Sequence, residues 1–232
     1  MPYFYYGIDP YYIILVLPAI LFSLIAQFAV KSTFSKFSKK QCMVSGAAAA
    51  ERVLRANGVY DVKIERVSGN LTDHYDPKTN VIRLSDAVYN ARSISAVGVA
   101  AHEAGHAVQY ATNYAPIRMR SAILPVCQFG SQISWPLIFI GLIMNSQFMI
   151  NIGLVLFASI AAFQLITLPV ELNASNRAVD ALSMGGIITQ TEMHGVEKVL
   201  KAAAMTYVAA LAVSLAQLLR LIIRFGGLRR DD

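Results

Sequence analysis

Four apolar stretches limit this chain to folds that can bury them in lipid or in a large helical core. Residues 11–30, 123–144 and 148–168 each run for about 20 residues without a charged side chain. That is the length a helix needs to cross a hydrocarbon core. Residues 202–223 are as long, but they contain Arg220 and are flanked by Lys198, Lys201, Arg224, Arg229 and Arg230. This stretch either spans or lies at the interface with its arginines on headgroups; its length favours a span. Hydrophobic residues make up 56% of the 232 and charged residues only 15%, with mean hydropathy +0.49. That balance excludes an ordinary soluble domain and points to a multi-pass membrane protein.

Charge placement sets the expected topology. Only Asp9 precedes the first run, whereas Lys31, Lys36, Lys39 and Lys40 follow it. A cleaved signal peptide carries its positive charge before the apolar run. The reverse order here implies an uncleaved anchor, kinked at Pro18, with its N-terminus outside and residue 31 onward in the cytoplasm. Arg118 and Arg120 precede the second run, and the uncharged turn Asn145, Ser146, Gln147 joins it to the third, which Pro169 is expected to end. The pair reads as a hairpin returning the chain to its starting side, with Gln128, Ser131, Gln132 and Ser134 facing other helices or a wet cavity. The net charge of +6 sits in clusters beside apolar runs, so it speaks of topology and lipid contact; no nucleic-acid partner is expected. The expected divisions are a membrane anchor (1–30), a cytoplasmic region (31–120), a transmembrane hairpin (121–169), a second cytoplasmic helical segment (170–201) and an apolar helix with a basic tail (202–232).

Residues 45–56 read as a helix stopped by Asn57-Gly58, and 59–67 as a strand. After the turn Ser68-Gly69-Asn70, residues 71–76 and 81–84 flank the turn 77–80 as a small hairpin. Ser85 or Asp86 can cap a short segment beyond it. Residues 171–201 are polar and mainly helical, with a break at Gly185-Gly186. Cys42 and Cys127 have neither disulfide-framework nor metal-ligand spacing and read as structural.

The chemistry lies in His102-Glu103-Ala104-Gly105-His106, inside an apolar, helix-compatible run that Ser93 or Ser95 can cap. On a helix, positions i and i+4 share a face about 6 Å apart along the axis. Two imidazoles so placed can hold one tetrahedral zinc, each at about 2.0–2.1 Å. Glu103 lies beside that face, where it can accept a proton from a water on the metal without being a ligand. A chance match to this pattern has odds of roughly one in a hundred in a chain of this size. Gly105 and its alanine neighbours would let another element approach closely.

A catalytic zinc needs a third protein ligand and an open position. The hairpin topology returns the chain at Glu171, on the same side as the two histidines. An acid in the first turn after a proline is also a common partner of the helix dipole. Asp73, His74 and Asp76 are the other ligand candidates. His74 and Tyr75 could also donate to an oxyanion, although a surface hairpin accounts for His74 as well. Asn173 and Arg177 could line the cleft, and His194 reads as a surface residue.

The motif His102–His106, the Glu171 segment and the run Leu71-Thr-Asp-His-Tyr-Asp-Pro77 resemble the YugP-type bacterial membrane zinc metallopeptidases and, more distantly, the HtpX-type membrane proteases. The resemblance covers about residues 45–180. It implies a gluzincin-like metalloendopeptidase of the bacterial cytoplasmic membrane, with one Zn2+ per chain on His102, His106 and Glu171, Glu103 as general base, and the active site on the cytoplasmic side. In the HtpX pattern an aspartate four residues after the ligand glutamate orients a ligand histidine. Ser175 stands at that position here, so the orienting group is Ser175, Asn176 or Asp180.

The expected fold is an α-rich integral membrane protein with a zincin-like HExxH helix, a small β-hairpin element and three to four transmembrane helices. The expected activity is hydrolysis of a peptide or protein substrate at the membrane, with the substrate strand adding to the edge 81–84. A metal-binding membrane scaffold without turnover would have no use for Glu103. A zinc hydrolase of a non-peptide substrate would need a closed pocket in place of a groove.

Overall fold

The computed structural model describes residues 9–184, 186 and 188–226; Arg229 and Arg230, expected on lipid headgroups, lie outside them. A π-helical turn, Tyr12–Val16, leads into α1 (Leu17–Ser38). Then follow α2 (Gly46–Ala56), β1 (Lys63–Val67), β2 (His74–Asp76), β3 (Val81–Ser85), α3 (Ile94–Ala111), α4 (Ala115–Ile143), α5 (Gln147–Met184) and α6 (Gln190–Phe225). Four helical segments are long and apolar enough to cross a membrane: Tyr12–Ser38, Ala115–Ile143, Gln147–Met184 and Gln190–Phe225. The upper end of the expected range of spans is therefore met.

At Pro18, where a kink is expected, the first of these carries a π-helical turn just before the proline. It has no N–H to offer the Ile14 carbonyl, and the chain answers with the π-helical turn, in which the Leu17 N–H bonds the Tyr12 carbonyl. Pro169 acts differently from expectation. Instead of ending a helix it lies inside α5, which runs unbroken to Met184. A proline removes one helical hydrogen bond, and neighbouring helices can hold the remainder of such a helix together. Glu171 is thus a mid-helix residue, and the dipole account of it lapses. The break near Gly185-Gly186 is where expected, between α5 and α6, with Gly186 at φ +55°. The second apolar run begins earlier than hydropathy implies, because Arg118 and Arg120 already belong to α4. Of its polar residues only Ser134 is buried; Gln128, Ser131 and Gln132 are exposed.

The chain divides into two compact units. One comprises Met1–Ile25, Met119–Leu168 and Tyr207–Asp232. Within it α4 and α5 form an antiparallel hairpin across a short turn with Asn145 at φ +51°. Glycines bring the two backbones together. A Cβ on Gly141 would meet Ile150, and one on Gly153 would meet Ile138 and the Ser134 carbonyl. This is how helices associate where lipid offers no hydrophobic drive. Ile138, Ile150, Leu154, Phe157 and Leu221 pack as one apolar cluster, with Trp135 edge-on to Phe157. Asp9 pairs with Arg220 at 2.7 Å and with Arg224 at 3.1 Å.

The other unit comprises Ala26–Arg118 and Pro169–Thr206. Ser45 caps α2, and Asn57 with Gly58, at φ +72°, ends it as the sequence implies. The sheet has the order β1-β3-β2: the β2–β3 hairpin is antiparallel and β1 pairs with β3 in parallel. This overturns the expected docking edge, because β3 is flanked on both sides and its backbone is already paired. The free edges belong to β1 and β2. The strand expected over 71–76 shortens to His74–Asp76, since Leu71 adopts φ +57° and leaves the extended region. Ala49, Ala50 and Val53 of α2, Val97, Ala101, Ala104 and Val108 of α3, and Ile82 and Leu84 of β3 form the core, joined by Ala178 and Leu182 of α5 and Val196 of α6.

Candidate metal centre

Ser93 settles the start of the motif helix: its hydroxyl accepts from the Ala96 N–H, while Ser95 instead donates to the Phe34 carbonyl. From that cap the four-residue spacing puts His102 and His106 on one face of α3, their rings edge to face with centroids 4.7 Å apart. Gly105, between them, admits α5. A Cβ there would stand 2.4 Å from the Ala174 carbonyl oxygen, a backbone atom that cannot swing aside. The close approach sets Glu171, one turn earlier on α5, against both rings. Its Oε2 lies 3.1 Å from His102 Nε2 and 3.4 Å from His106 Nε2.

These three residues are the one group of potential metal ligands found among the described residues, with donor atoms within 4.8 Å of one another. Two ligands at 2.0–2.1 Å from a tetrahedral zinc are themselves about 3.3 Å apart. The nitrogen-to-carboxylate separations match that spacing. Two imidazoles and a carboxylate are also the donor set of catalytic zinc sites that keep one position open. Glu171 is only 2% exposed, and a carboxylate so buried needs a positive partner. Burial pushes the His106 imidazole down, but its hydrogen bond to Glu171 and the charges of Glu103 and Glu171 outweigh this and raise its pKa above the ordinary histidine value.

Glu103 is half-buried and held from outside the helix: its Oε2 accepts the Tyr75 backbone N–H at 3.0 Å. Strand β2 therefore carries a backbone donor to the motif's carboxylate, a contact that motif spacing does not reveal. The Tyr75 phenol is occupied elsewhere, donating to Asn80 Oδ1 at 2.7 Å while its ring lies 5.5 Å from that of Tyr110. Burial pushes it up to about 12, so it stays protonated. His74 is exposed, with Nδ1 2.7 Å from the Thr72 carbonyl, as the surface-hairpin reading has it.

The other ligand candidates are also committed. Asp73 accepts from the Ser85 N–H and hydroxyl, and Asp76 from Lys78, Thr79 and Arg83. Of the three candidates for an orienting group, Ser175 is the one brought to a histidine, its hydroxyl 3.1 Å from His102 Nδ1. Asn176 and Asp180 are exposed, because they project from other sides of α5. The partner of His106 escaped the sequence reading. Gln109 Oε1 lies 3.0 Å from His106 Nδ1, and Gln109 is wholly buried. The available signal was a glutamine three residues after the second histidine, one turn along in an otherwise apolar helix. Asn173, a cleft candidate, bonds Gln109 Nε2 and Arg177 Nε.

An apolar helical protein in which two histidines and a buried glutamate converge on one point has a donor set that could hold a metal ion. The comparisons with known proteins specify the class. The family model described as "Putative neutral zinc metallopeptidase" matches residues 12–226, and the chain belongs to this family. It is 49% identical over 217 residues to the protein named "Putative membrane protease YugP" of Bacillus subtilis (strain 168), covering 92% of this chain and 96% of that one. No solved structure is significantly similar to the chain.

Proposed function

We propose that the protein is a membrane-embedded zinc metalloendopeptidase in which His102, His106 and Glu171 hold one Zn2+ and Glu103 is the general base. The observation that carries this reading is the convergence of the three donor atoms within 4.8 Å, with a further carboxylate, Glu103, on the same helix but outside the cluster. Zinc, when bound, supplies Lewis acidity: it lowers the pKa of a water and polarises a carbonyl.

Glu103 takes the proton from the attacking water and later passes it to the leaving amine. The Tyr75 N–H holds that carboxylate by its Oε2. Glu171 offsets the charge of the metal, and Ser175 and Gln109 hold the two imidazoles by their remaining nitrogens. The substrate is a peptide segment, lying beside β2, the edge strand whose Tyr75 N–H is held by Glu103. The lysines after residue 30 support a site on the cytoplasmic side of the bacterial inner membrane, with residues 145–147 outside.

Metal analysis tests the ligand set. Purified wild-type protein carries one zinc per chain; His102→Ala and His106→Ala carry none at stoichiometry, and Glu171→Ala binds far more weakly. Full zinc in Glu171→Ala would overturn the third ligand. Labelling of a cysteine at position 146 from the cytoplasmic face alone would overturn the topology.

A further inference from the structure

Gln109 is completely buried, yet every polar atom of its amide has a partner. Nε2 lies 2.7 Å from the Val170 carbonyl oxygen and 3.0 Å from Asn173 Oδ1; Oε1 lies 3.0 Å from His106 Nδ1. The Val170 carbonyl can only accept, so the atom facing it must be the amide nitrogen. The amide cannot be flipped without setting oxygen against oxygen in a site closed to water, at a cost of about 1–3 kcal/mol for each buried group left unpaired.

The second donor is fixed in the same way. Arg177 Nε donates to Asn173 Oδ1 at 2.8 Å, and its guanidinium stacks over the Tyr114 ring at 5.8 Å. Arginine has no acceptor, so the Asn173 atom shared by Arg177 and Gln109 must be the oxygen. With both Gln109 hydrogens committed, only its oxygen is left for His106. A hydrogen on His106 must then sit on Nδ1, so that Nε2, the nitrogen facing Glu171, is the one that gives up its proton to a metal.

This chain of forced choices rests on the metal-site reading given above and extends it. We infer that Gln109, oriented by the Val170 carbonyl and by Asn173 with Arg177, is a positioning residue that fixes the tautomer and ring orientation of His106 so that Nε2 is the nitrogen presented to the metal. His102 is held differently. Its partner, Ser175, has a hydroxyl that can donate or accept, and so does not dictate a tautomer. The two ligand histidines are therefore unequal: one is locked by a polarised relay of three side chains, the other by an adaptable hydroxyl.

The test is the zinc dissociation constant, by chelator competition, of full-length protein in detergent, with thermal stability of the metal-free protein measured alongside. Gln109→Met keeps the volume and removes the acceptor; zinc binding should weaken about 10- to 100-fold. Gln109→Glu keeps an acceptor for His106 but sets its other oxygen against the Val170 carbonyl and Asn173 Oδ1, so it too should bind zinc more weakly than wild type. Asn173→Ala, which does not touch His106, should weaken binding through Gln109, while Asn173→Asp, which keeps both acceptor contacts, should stay near wild type. If Gln109→Met does not fold, the Asn173 pair decides. Substitution with Co2+ gives a second readout: the visible spectrum of Gln109→Met should change in band position, reporting altered ligand geometry, and that of Asn173→Asp should not. Unchanged zinc affinity and cobalt spectrum in both Gln109→Met and Asn173→Ala would overturn the inference while leaving the ligand set intact. Absence of zinc from the wild type would overturn the metal-site reading itself.

Discussion

Helix α5 runs through both compact units, and its two parts put the same packing device to different uses. In residues 147–168 Gly153 lets the backbone approach α4, and what surrounds the contact is Ile138, Ile150 and Leu154. In residues 169–184 the approach to α3 is made by a glycine of the partner helix, Gly105, and what surrounds it is Glu171, His102, His106 and Ser175. Close backbone contact is thus not itself a sign of function; in the first case it substitutes for the missing hydrophobic drive between helices in lipid. In the second it sets a ligand distance, so a displacement of the helices changes chemistry before it changes packing.

Gly105→Ala should break the comparison most strongly. The new methyl meets the Ala174 carbonyl, so α3 and α5 must separate, at a cost of about 1–3 kcal/mol. The expected result is loss of stoichiometric zinc and of peptidase activity in a protein that still folds. Full zinc in this variant would show that the contact does not set the ligand distance.

Acid should act on the site and spare the hairpin. The His106 imidazole titrates above its ordinary range in the metal-free site, and a metal must displace its proton. Zinc affinity should therefore be fully developed above that pKa and fall as the pH drops through it, by about tenfold per unit for each proton displaced. A chelator titration that is flat from about pH 8 to pH 5 would contradict this.

Ser175→Ala should cost about tenfold or less in zinc affinity, because a neutral hydroxyl on His102 Nδ1 is a weaker partner than a carboxylate. Gly153→Ala should have no effect on zinc. Its methyl meets the Ile138 side chain at 2.5 Å and the Ser134 carbonyl at 3.0 Å, so it should lower the thermal midpoint at unchanged metal content. Loss of zinc in this variant would show that hairpin packing controls the site.

The four spans and the motif helix were legible because periodicity, length and a fixed four-residue spacing are local properties. Gly105 was legible for the same reason, as a small residue in a motif that needs a close partner. Three features were not. The path of α5 through Pro169 depends on neighbours that hold the helix beyond the proline, which no window of sequence contains. The central position of β3 results from parallel pairing with β1, a non-local contact that hairpin signals cannot announce. Gln109 and the Tyr75 N–H act across elements, the first from within a motif helix where a glutamine reads as an ordinary polar residue, the second as a backbone atom without sequence identity.

The central claim is that this site hydrolyses peptides with Glu103 as its base, and one paired measurement addresses it. Wild type and Glu103→Gln are purified in parallel, and zinc content and cleavage of a peptide library are measured on the same samples. Glutamine keeps the size of the side chain and an acceptor for the Tyr75 N–H but cannot take a proton. The expected result is one zinc per chain in both proteins and a fall in cleavage of roughly 10²–10⁴-fold in the variant. Full activity with zinc retained in Glu103→Gln, or cleavage by neither protein while both hold zinc, would contradict it.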